Sequence, residues 1–103
     1  MFRHTVRHII QPGSFAEYVT AVKAFNTAAT AAGLPAYRLW HTLFGDLNEV
    51  WAEADYDSLD AHVAAWERAE SEDTLMRAFR DMVALTVPGS VHDYPLAPVT
   101  PQP

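Results

Sequence analysis

The sequence predicts an α+β fold in which four extended segments alternate with two helical regions, in the order β-α-β-β-α-β. β-Branched residues gather in short runs that are bounded by proline and glycine, as in strands. Between these runs, apolar residues recur at the three- and four-residue spacing of amphipathic helices. The 103 residues, of which 50% are hydrophobic, suffice for one core but not for two. We therefore assign residues 1–97 to a single domain and the proline-rich residues 98–103 to a C-terminal tail.

The first strand is predicted at residues 2–10, "FRHTVRHII", because "QPG" follows it as a turn. A helix begins next, since Ser14 and Glu17 have the spacing of a capping box. Gly33 is placed to end that helix. Its buried stripe is predicted from apolar residues at helical spacing: Phe15, Val19, Val22, Phe25 and Ala29.

Two further strands, at residues 35–44 and 47–56, are predicted to form a hairpin around the short "GD" segment. The helical region that follows has a kink near Ser71, and the last strand is predicted at residues 90–96. This order of elements suggests a ferredoxin-like antiparallel sheet with both helical regions packed on one face.

Composition excludes several classes of function. With a net charge of -6 and Lys23 as the single lysine, the chain has no basic surface for nucleic acid. Because the sequence contains no cysteine, disulfide bonds and catalysis by a thiolate are excluded. No apolar run approaches the ~20 residues of a membrane span, and the N-terminus has no apolar signal core. We expect a cytoplasmic protein without a membrane or nucleic-acid partner.

The hairpin register decides which side chains share a face of the sheet. Whether residue 44 lies opposite residue 47 or 49, even positions of the second strand pair with odd positions of the third. One face is mostly apolar and small, as expected under helices: Tyr37, Leu39, His41, Leu43, Val50, Ala52 and Ala54. The other face mixes aromatic rings with charges: Arg38, Trp40, Thr42, Phe44, Glu49, Trp51, Glu53 and Asp55.

In the first strand, Val6 and Ile10 match the helix-covered face and bring His4 and His8 with them. At ~3.3 Å per residue, these two histidines lie roughly 13 Å apart, too far to share one metal ion, so no metal site is predicted. The arginines of this strand join the charged face and are expected to meet its acidic residues across the ladder.

The charged face would expose a large aromatic patch on a monomer, which soluble monomers rarely tolerate. Back-to-back homodimerisation would bury this patch against its own copy. The expected interface residues are Arg3, Arg7, Arg38, Trp40, Trp51 and Glu53.

On the helix-covered face, the third strand contributes small side chains as a floor, which leaves room for a cavity. His4, His8 and His41 are predicted around that floor as general acid-base residues. The alternative is that they are hydrogen-bonded core histidines. Floor, rim and roof of the cavity are predicted from Tyr37, Ala52, Ala54, His62, Trp66 and Phe79.

Over residues 2–96 the chain resembles the dimeric α/β-barrel superfamily, which includes stress-responsive A/B-barrel proteins, antibiotic-biosynthesis monooxygenases and the NIPSNAP group. The resemblance rests on "PG" after the first strand, on the order of the elements and on "LNEVWAEADYDSLDAHVAAW", which is similar to the NIPSNAP-like run into the second helix. It implies a homodimer with two sheets back to back and one pocket in each subunit.

The opening "FRHTV" resembles A/B-barrel polyketide cyclases, in which a first-strand histidine is the acid-base residue, here His4. The second histidine of those cyclases has no counterpart around "ERAESEDT". Relatives that act as monooxygenases or degrade haem have asparagine where Val6 stands and tryptophan where Tyr56 stands, and His62 lies near a histidine frequent in the monooxygenases. Val6 and Tyr56 are therefore added to the predicted pocket.

The resemblance implies a small enzyme that acts on a hydrophobic, aromatic or polyketide-like molecule, without a cofactor, by histidine acid-base chemistry or cofactor-free oxygenation. Two alternatives stay open. One is a non-catalytic dimeric small-molecule-binding or scaffold protein of the NIPSNAP type, and the other is a haem-binding relative.

Overall fold

The computed structural model describes residues 1–44 and 47–99. Its elements, in chain order, are β1 (Phe2–Ile9), α1 (Phe15–Ala31), β2 (Arg38–His41), β3 (Glu49–Tyr56), α2 (Leu59–Ala69), α3 (Asp73–Val83) and β4 (His92–Leu96). The strands form one antiparallel sheet in the order β2-β3-β1-β4. The predicted ferredoxin-like α+β fold is confirmed, and β1 lies inside the sheet, where its side chains reach the middle of both faces.

Register observations confirm the predicted division of the two faces. Trp40 lies opposite Trp51 and His41 opposite Val50, so even positions of β2 pair with odd positions of β3. The observed β2 is shorter than predicted, and the "GD" of the hairpin lies outside the described residues, as does the tail from residue 100 onward. Val6, Ala52 and Leu39 follow one another across three strands at the centre of the helix-covered face.

Helix α1 packs on the sheet through a stripe that shares Val22, Phe25 and Ala29 with the predicted one. The buried residues are Tyr18, Val22, Phe25 and Ala29. Phe15 is 40% exposed, so the prediction that the stripe begins at Phe15 was wrong. Tyr18 and Phe15 both have helical spacing to Val22, four and seven residues away, and the orientation of the helix on the sheet buries Tyr18 rather than Phe15.

The two ends of α1 differ in how far they follow the sequence. Ser14 occupies the N-cap position, but its side chain makes no capping hydrogen bond, so the predicted capping box does not form. At the other end, Gly33 has a φ of 84°, and the Leu34 N–H donates to the Ala29 carbonyl over 2.8 Å. That bond is the one that defines a Schellman motif, so Gly33 ends the helix as predicted.

The second helical region is two helices instead of one kinked helix. Ser58 caps α2 by accepting a hydrogen bond from the Ala61 N–H over 3.0 Å. After Ala69 the chain turns, and the Ser71 hydroxyl donates to the Arg68 carbonyl over 2.8 Å. A serine that satisfies a terminal carbonyl in this way favours the end of a helix over its continuation. In the part of the chain that is described, no helix is long and apolar enough to cross a membrane.

The face of the sheet that the helices leave uncovered, hereafter the outer face, is ordered by ion pairs. The Arg3 guanidinium donates to both oxygens of Asp55, over 2.7 and 3.2 Å, and thereby holds the pKa of that carboxyl below its usual value. Arg38 donates to Glu53 over 3.0 Å, and Arg7 pairs with Glu49. The expectation that the arginines meet the acidic residues across the ladder is confirmed.

Candidate functional site

A cavity of about 350 Å³ lies between the sheet and the helices. That volume is at the lower end of the range found for small-molecule sites, about 300–1,000 Å³. Most of its wall is apolar, and its polar side chains gather in two places along β1. The residues that line it are His4, Val6, His8, Tyr18, Val22, Phe25, Tyr37, Leu39, Ala52, His62, Trp66, Phe79, Met82, Val83, Thr86, Val91 and Asp93.

His4 stands at one end of the cavity with both ring nitrogens hydrogen-bonded. Its Nε2 lies 3.0 Å from Oδ1 of Asp93, and its Nδ1 lies 2.6 Å from the Tyr37 hydroxyl. Because an ionised carboxylate only accepts hydrogen bonds, Nε2 carries the proton and Nδ1 accepts from the phenol. The Tyr56 hydroxyl, 3.0 Å from that of Tyr37, then donates to the Tyr37 oxygen. Four side chains form one hydrogen-bonded row.

Both phenols of this row stay protonated at neutral pH. Burial, reinforced by the hydrogen bond to Tyr56, raises the pKa of Tyr37 well above its usual value. Burial also raises the pKa of Tyr56. The phenols can therefore accept one proton while they release another, but they do not serve as resident anions.

The position of Tyr37 is set by helix α1 rather than by a strand. Asn26 of α1 donates from Nδ2 to the Tyr37 carbonyl over 3.0 Å, and its Oδ1 accepts from the Tyr37 N–H over 2.8 Å. This pair of bonds, hereafter the Asn26 clamp, replaces the ladder bonds that the residue would make in a strand. It holds Tyr37 one residue before β2 begins and brings its hydroxyl to His4.

His62 of α2 packs against the ring of His4, with the two ring centroids 4.6 Å apart. Its ring also contacts Phe2 and Tyr56. Neither ring nitrogen is hydrogen-bonded within the described residues, and both are shielded from water, as is Nε1 of Trp66. Burial, together with the nearby His4, lowers the pKa of His62. His62 is therefore a neutral aromatic wall that orients the His4 ring.

A second polar pair lies further along β1, at the level of Val50. His8 is buried, and its Nε2 is hydrogen-bonded to the hydroxyl of Tyr18 from α1. Burial lowers the pKa of His8 and raises the pKa of Tyr18, so both groups are neutral at physiological pH. His8 and Tyr18 both line the cavity, together with Thr86.

The structure brings most of the predicted site residues to the cavity and separates three from it. His41 is exposed at the end of β2, where its ring lies 6.3 Å from that of Phe15, and it does not line the cavity. The strand leaves the covered area at that point, which corrects the expectation that His41 forms a wall. Ala54 and Tyr56 are buried in the core beneath the cavity lining. Tyr56 reaches the site only through its bond to Tyr37.

Four polar contributors to the site were absent from the sequence-based prediction: Tyr18, Asn26, Thr86 and Asp93. Tyr18 and Asn26 lie on or beside the apolar stripe of α1. A polar group in such a position can be recognised as a candidate site residue, because once buried it needs a hydrogen-bond partner. Asp93 reaches the cavity because β4 pairs Asp93 with Val6, a register that the sequence does not define. Thr86 has no comparable signal.

The described residues contain no group of three or more metal-ligating side chains. Haem fits them poorly as well. Both nitrogens of His4 and Nε2 of His8 are already hydrogen-bonded, and the nitrogens of His62 are shielded by rings. His4, or Nε2 of His8, could act as an axial ligand only by breaking one of these bonds, and His62 only after the rings that shield its nitrogens move.

Comparisons with known proteins agree with this geometry at the level of the fold. A NIPSNAP domain protein from Burkholderia xenovorans superposes with a TM-score of 0.80 at 20% identity, over 100% of this chain and 99% of that one. A NIPSNAP family protein from Agrobacterium tumefaciens superposes with a TM-score of 0.79 at 20% identity, over 95% of this chain and 92% of that one.

An antibiotic biosynthesis monooxygenase superposes with a TM-score of 0.72 at 13% identity, over 97% of this chain and 100% of that one. None of the curated proteins matches the sequence significantly. The family model of NIPSNAP matches residues 6–100, which is nearly the whole domain. This chain therefore belongs to the NIPSNAP family.

Proposed function

We propose that this protein is an enzyme that binds a hydrophobic small molecule in the 350 Å³ cavity and catalyses proton transfer through His4. The observation that carries the proposal is the row Asp93–His4–Tyr37 at the edge of an apolar cavity. A histidine between a carboxylate and a proton donor is arranged to change its protonation state, since the carboxylate stabilises the imidazolium that forms. The side chain of Asp93 is 67% exposed, and a histidine that only fills the core does not need such a carboxylate as its partner.

Tyr37 carries the proton between substrate and base. The Nδ1 of His4 is already hydrogen-bonded to the hydroxyl of Tyr37, a residue that lines the cavity. A substrate proton passes to the Tyr37 oxygen while the Tyr37 proton passes to Nδ1. The products of this step are a deprotonated substrate and an imidazolium bonded to Asp93. Because both transfers occur together, no free phenolate forms, in agreement with the raised pKa of Tyr37.

The deprotonated substrate can follow either of two courses. In an isomerisation or a ring closure, the proton returns to another atom of the substrate along the same row. In an oxygenation without a cofactor, the carbanion or phenolate reacts with dioxygen after the same first step. The hydrogen-bonded row supplies the first step in both cases, so a test of that step covers both.

The Kemp elimination of 5-nitrobenzisoxazole tests this step, because it needs only a positioned base next to an apolar aromatic ring. We expect the wild type to accelerate the reaction and His4→Ala to lower its rate by about 100-fold, the lower end of what positioned acid-base groups contribute. Tyr37→Phe should also lower the rate if Tyr37 relays the proton, and should leave it unchanged or raise it if His4 acts directly. Release of the coloured phenolate measures each rate.

His41→Ala is the matched control, since it removes an exposed histidine that lies outside the cavity. It should retain the wild-type rate, and thermal unfolding should show that all three variants fold. A wild-type protein without acceleration, or equal losses from His4→Ala and His41→Ala, would reject the catalytic proposal. The chain would then be better explained as a binding or scaffold protein.

We also propose that the protein acts as a homodimer through the outer face. Trp40 is 58% exposed there, although its indole N–H donates to Glu53 over 3.1 Å. A second copy would cover this exposed tryptophan.

A further inference from the structure

We infer that the His8–Tyr18 pair is a second ligand-binding station, and that the natural ligand is an elongated, largely apolar molecule with an uncharged hydroxyl or carbonyl group at each end. The inference rests on the proposed function, because it takes the His4 end of the cavity as the place of chemistry. It adds what lies at the opposite end and what that end selects.

The distance between the two stations sets the length of the ligand. His4 and His8 lie on the same face of β1, four residues apart, which separates their Cα atoms by roughly 13 Å. Their partners come from different elements, since Tyr37 precedes β2 and Tyr18 lies in the first turn of α1. The cavity includes both stations, so a single molecule can reach from one to the other.

Among the described residues, the wall between the stations is mainly apolar. On the sheet it consists of Val6, Ala52 and Leu39, one from each of three adjacent strands. Phe25 of α1 and Phe79 of α3 line it from the helices, with their ring centroids 6.2 Å apart. The small Ala52 side chain leaves space above the floor, and two aromatic rings above it suit an aromatic middle section.

The chemistry of the second station selects an uncharged group. Both members are neutral, because burial disfavours the imidazolium and the phenolate alike. A hydroxyl bonded to a neutral imidazole can donate or accept one further hydrogen bond, depending on which ring nitrogen carries the proton. The Tyr18 oxygen can therefore pair with a ligand hydroxyl or carbonyl, whereas a charged group would lose its hydration without a counterion.

Isothermal titration with three rigid probes tests the inference: trans-stilbene, its derivative with one para hydroxyl, and its derivative with a para hydroxyl at both ends. We expect the diol to bind the wild type about 3- to 10-fold more tightly than the mono-ol, which is the contribution of one hydrogen bond to affinity. In Tyr18→Phe the diol should bind no better than the mono-ol, and the affinity for the mono-ol should be unchanged.

Tyr94→Phe is the matched control, because Tyr94 lies on the outer face, stacked on Trp51, and should leave every affinity unchanged. If Tyr18→Phe does not fold, His8→Asn should abolish the preference for the diol instead. Equal affinities of diol and mono-ol for the wild type overturn the inference, as does the absence of binding by all three probes. The Kemp elimination measures the His4 end separately, so a wild type active there but indifferent to the second hydroxyl rejects the second station alone.

Discussion

The two faces of the sheet are made from the same strands, yet they satisfy their polar side chains in opposite ways. On the helix-covered face, His4 and His8 are hydrogen-bonded to the hydroxyl groups of tyrosines, and the buried pair of His8 and Tyr18 is neutral. On the outer face, Arg3 and Arg7 form ion pairs with carboxylates of β3. Burial of a charge without a matched partner costs far more than burial of a neutral hydrogen-bonded pair, which explains the division.

The comparison of the two faces shows which side chains can take part in proton transfer. On the outer face, hydrogen bonds from Arg3 hold the pKa of Asp55 below its usual value, so this carboxylate is a poor base. Among the described residues that line the cavity, Asp93 is the acidic one, and it comes from the exposed edge strand β4. The covered face thus has two kinds of polar group. Its histidines and tyrosines can exchange protons with one another, and the carboxylate of Asp93 lies where the cavity meets solvent.

The largest expected effect concerns the core of the covered face. Phe25 is buried and its ring contacts those of Tyr37, Trp66 and Phe79. We expect Phe25→Ala to lower the free energy of unfolding by about 3–5 kcal/mol, because it removes a full ring and enlarges the cavity. Urea denaturation measures the loss. Phe15→Ala, in the same helix but half exposed, should cost much less, and equal losses would contradict the observed orientation of α1.

The next effect concerns the outer face. If this face joins two copies, Trp40→Ala should weaken the dimer by about 30-fold or more, as expected for a tryptophan central to an interface. Light scattering over a dilution series measures the dissociation. Leu59→Ala serves as the control, because Leu59 is exposed on α2, on the opposite side of the sheet. A wild type that is monomeric at every concentration would refute the homodimer.

The smallest effect distinguishes the faces by pH. Burial lowers the pKa of His8, whereas the unfolded chain keeps a value near 6.5. Below about pH 6.5 the unfolded state therefore binds a proton that the folded state does not, and the free energy of unfolding falls as the pH drops through the folded pKa. His8→Asn should flatten this slope, and the remainder should come from His62.

His41→Asn, at an exposed histidine, should keep the wild-type slope between about pH 7 and pH 5. Denaturant titrations at several pH values give the slope for each variant. A flat wild-type profile, or equal flattening by both substitutions, would show that His8 is not buried in its neutral form.

The faces of the sheet could be predicted because strand periodicity is a local property. His4, Val6 and Ala52 were placed correctly from alternation alone, and the same argument placed Arg3 opposite the acidic residues. Alternation does not say where a strand stops being covered, however. His41 has the correct parity but lies at the last residue of β2, beside the exposed Phe15 at the start of α1, and so is exposed.

The hydrogen-bond partners could not be predicted, because they depend on tertiary geometry. Tyr18 was passed over in favour of Phe15, since both lie near the start of α1 and hydrophobicity ranks the phenylalanine first. Only the packing angle of the helix decides between them. Asp93 needed the register of β4 against β1, and that edge strand is exposed at all five residues, so it has no hydrophobic pattern to define a register.

The Asn26 clamp makes α1 a mechanical link between the two ends of the cavity. Tyr18 and Asn26 are eight residues apart on one helix, about 12 Å along its axis. The helix is tied to the backbone of Tyr37 by two bonds, so an axial shift of α1 at the Tyr18 end would be transmitted to the phenol that faces His4. A ligand that displaced α1 at the Tyr18 end would therefore also move the Tyr37 hydroxyl relative to His4.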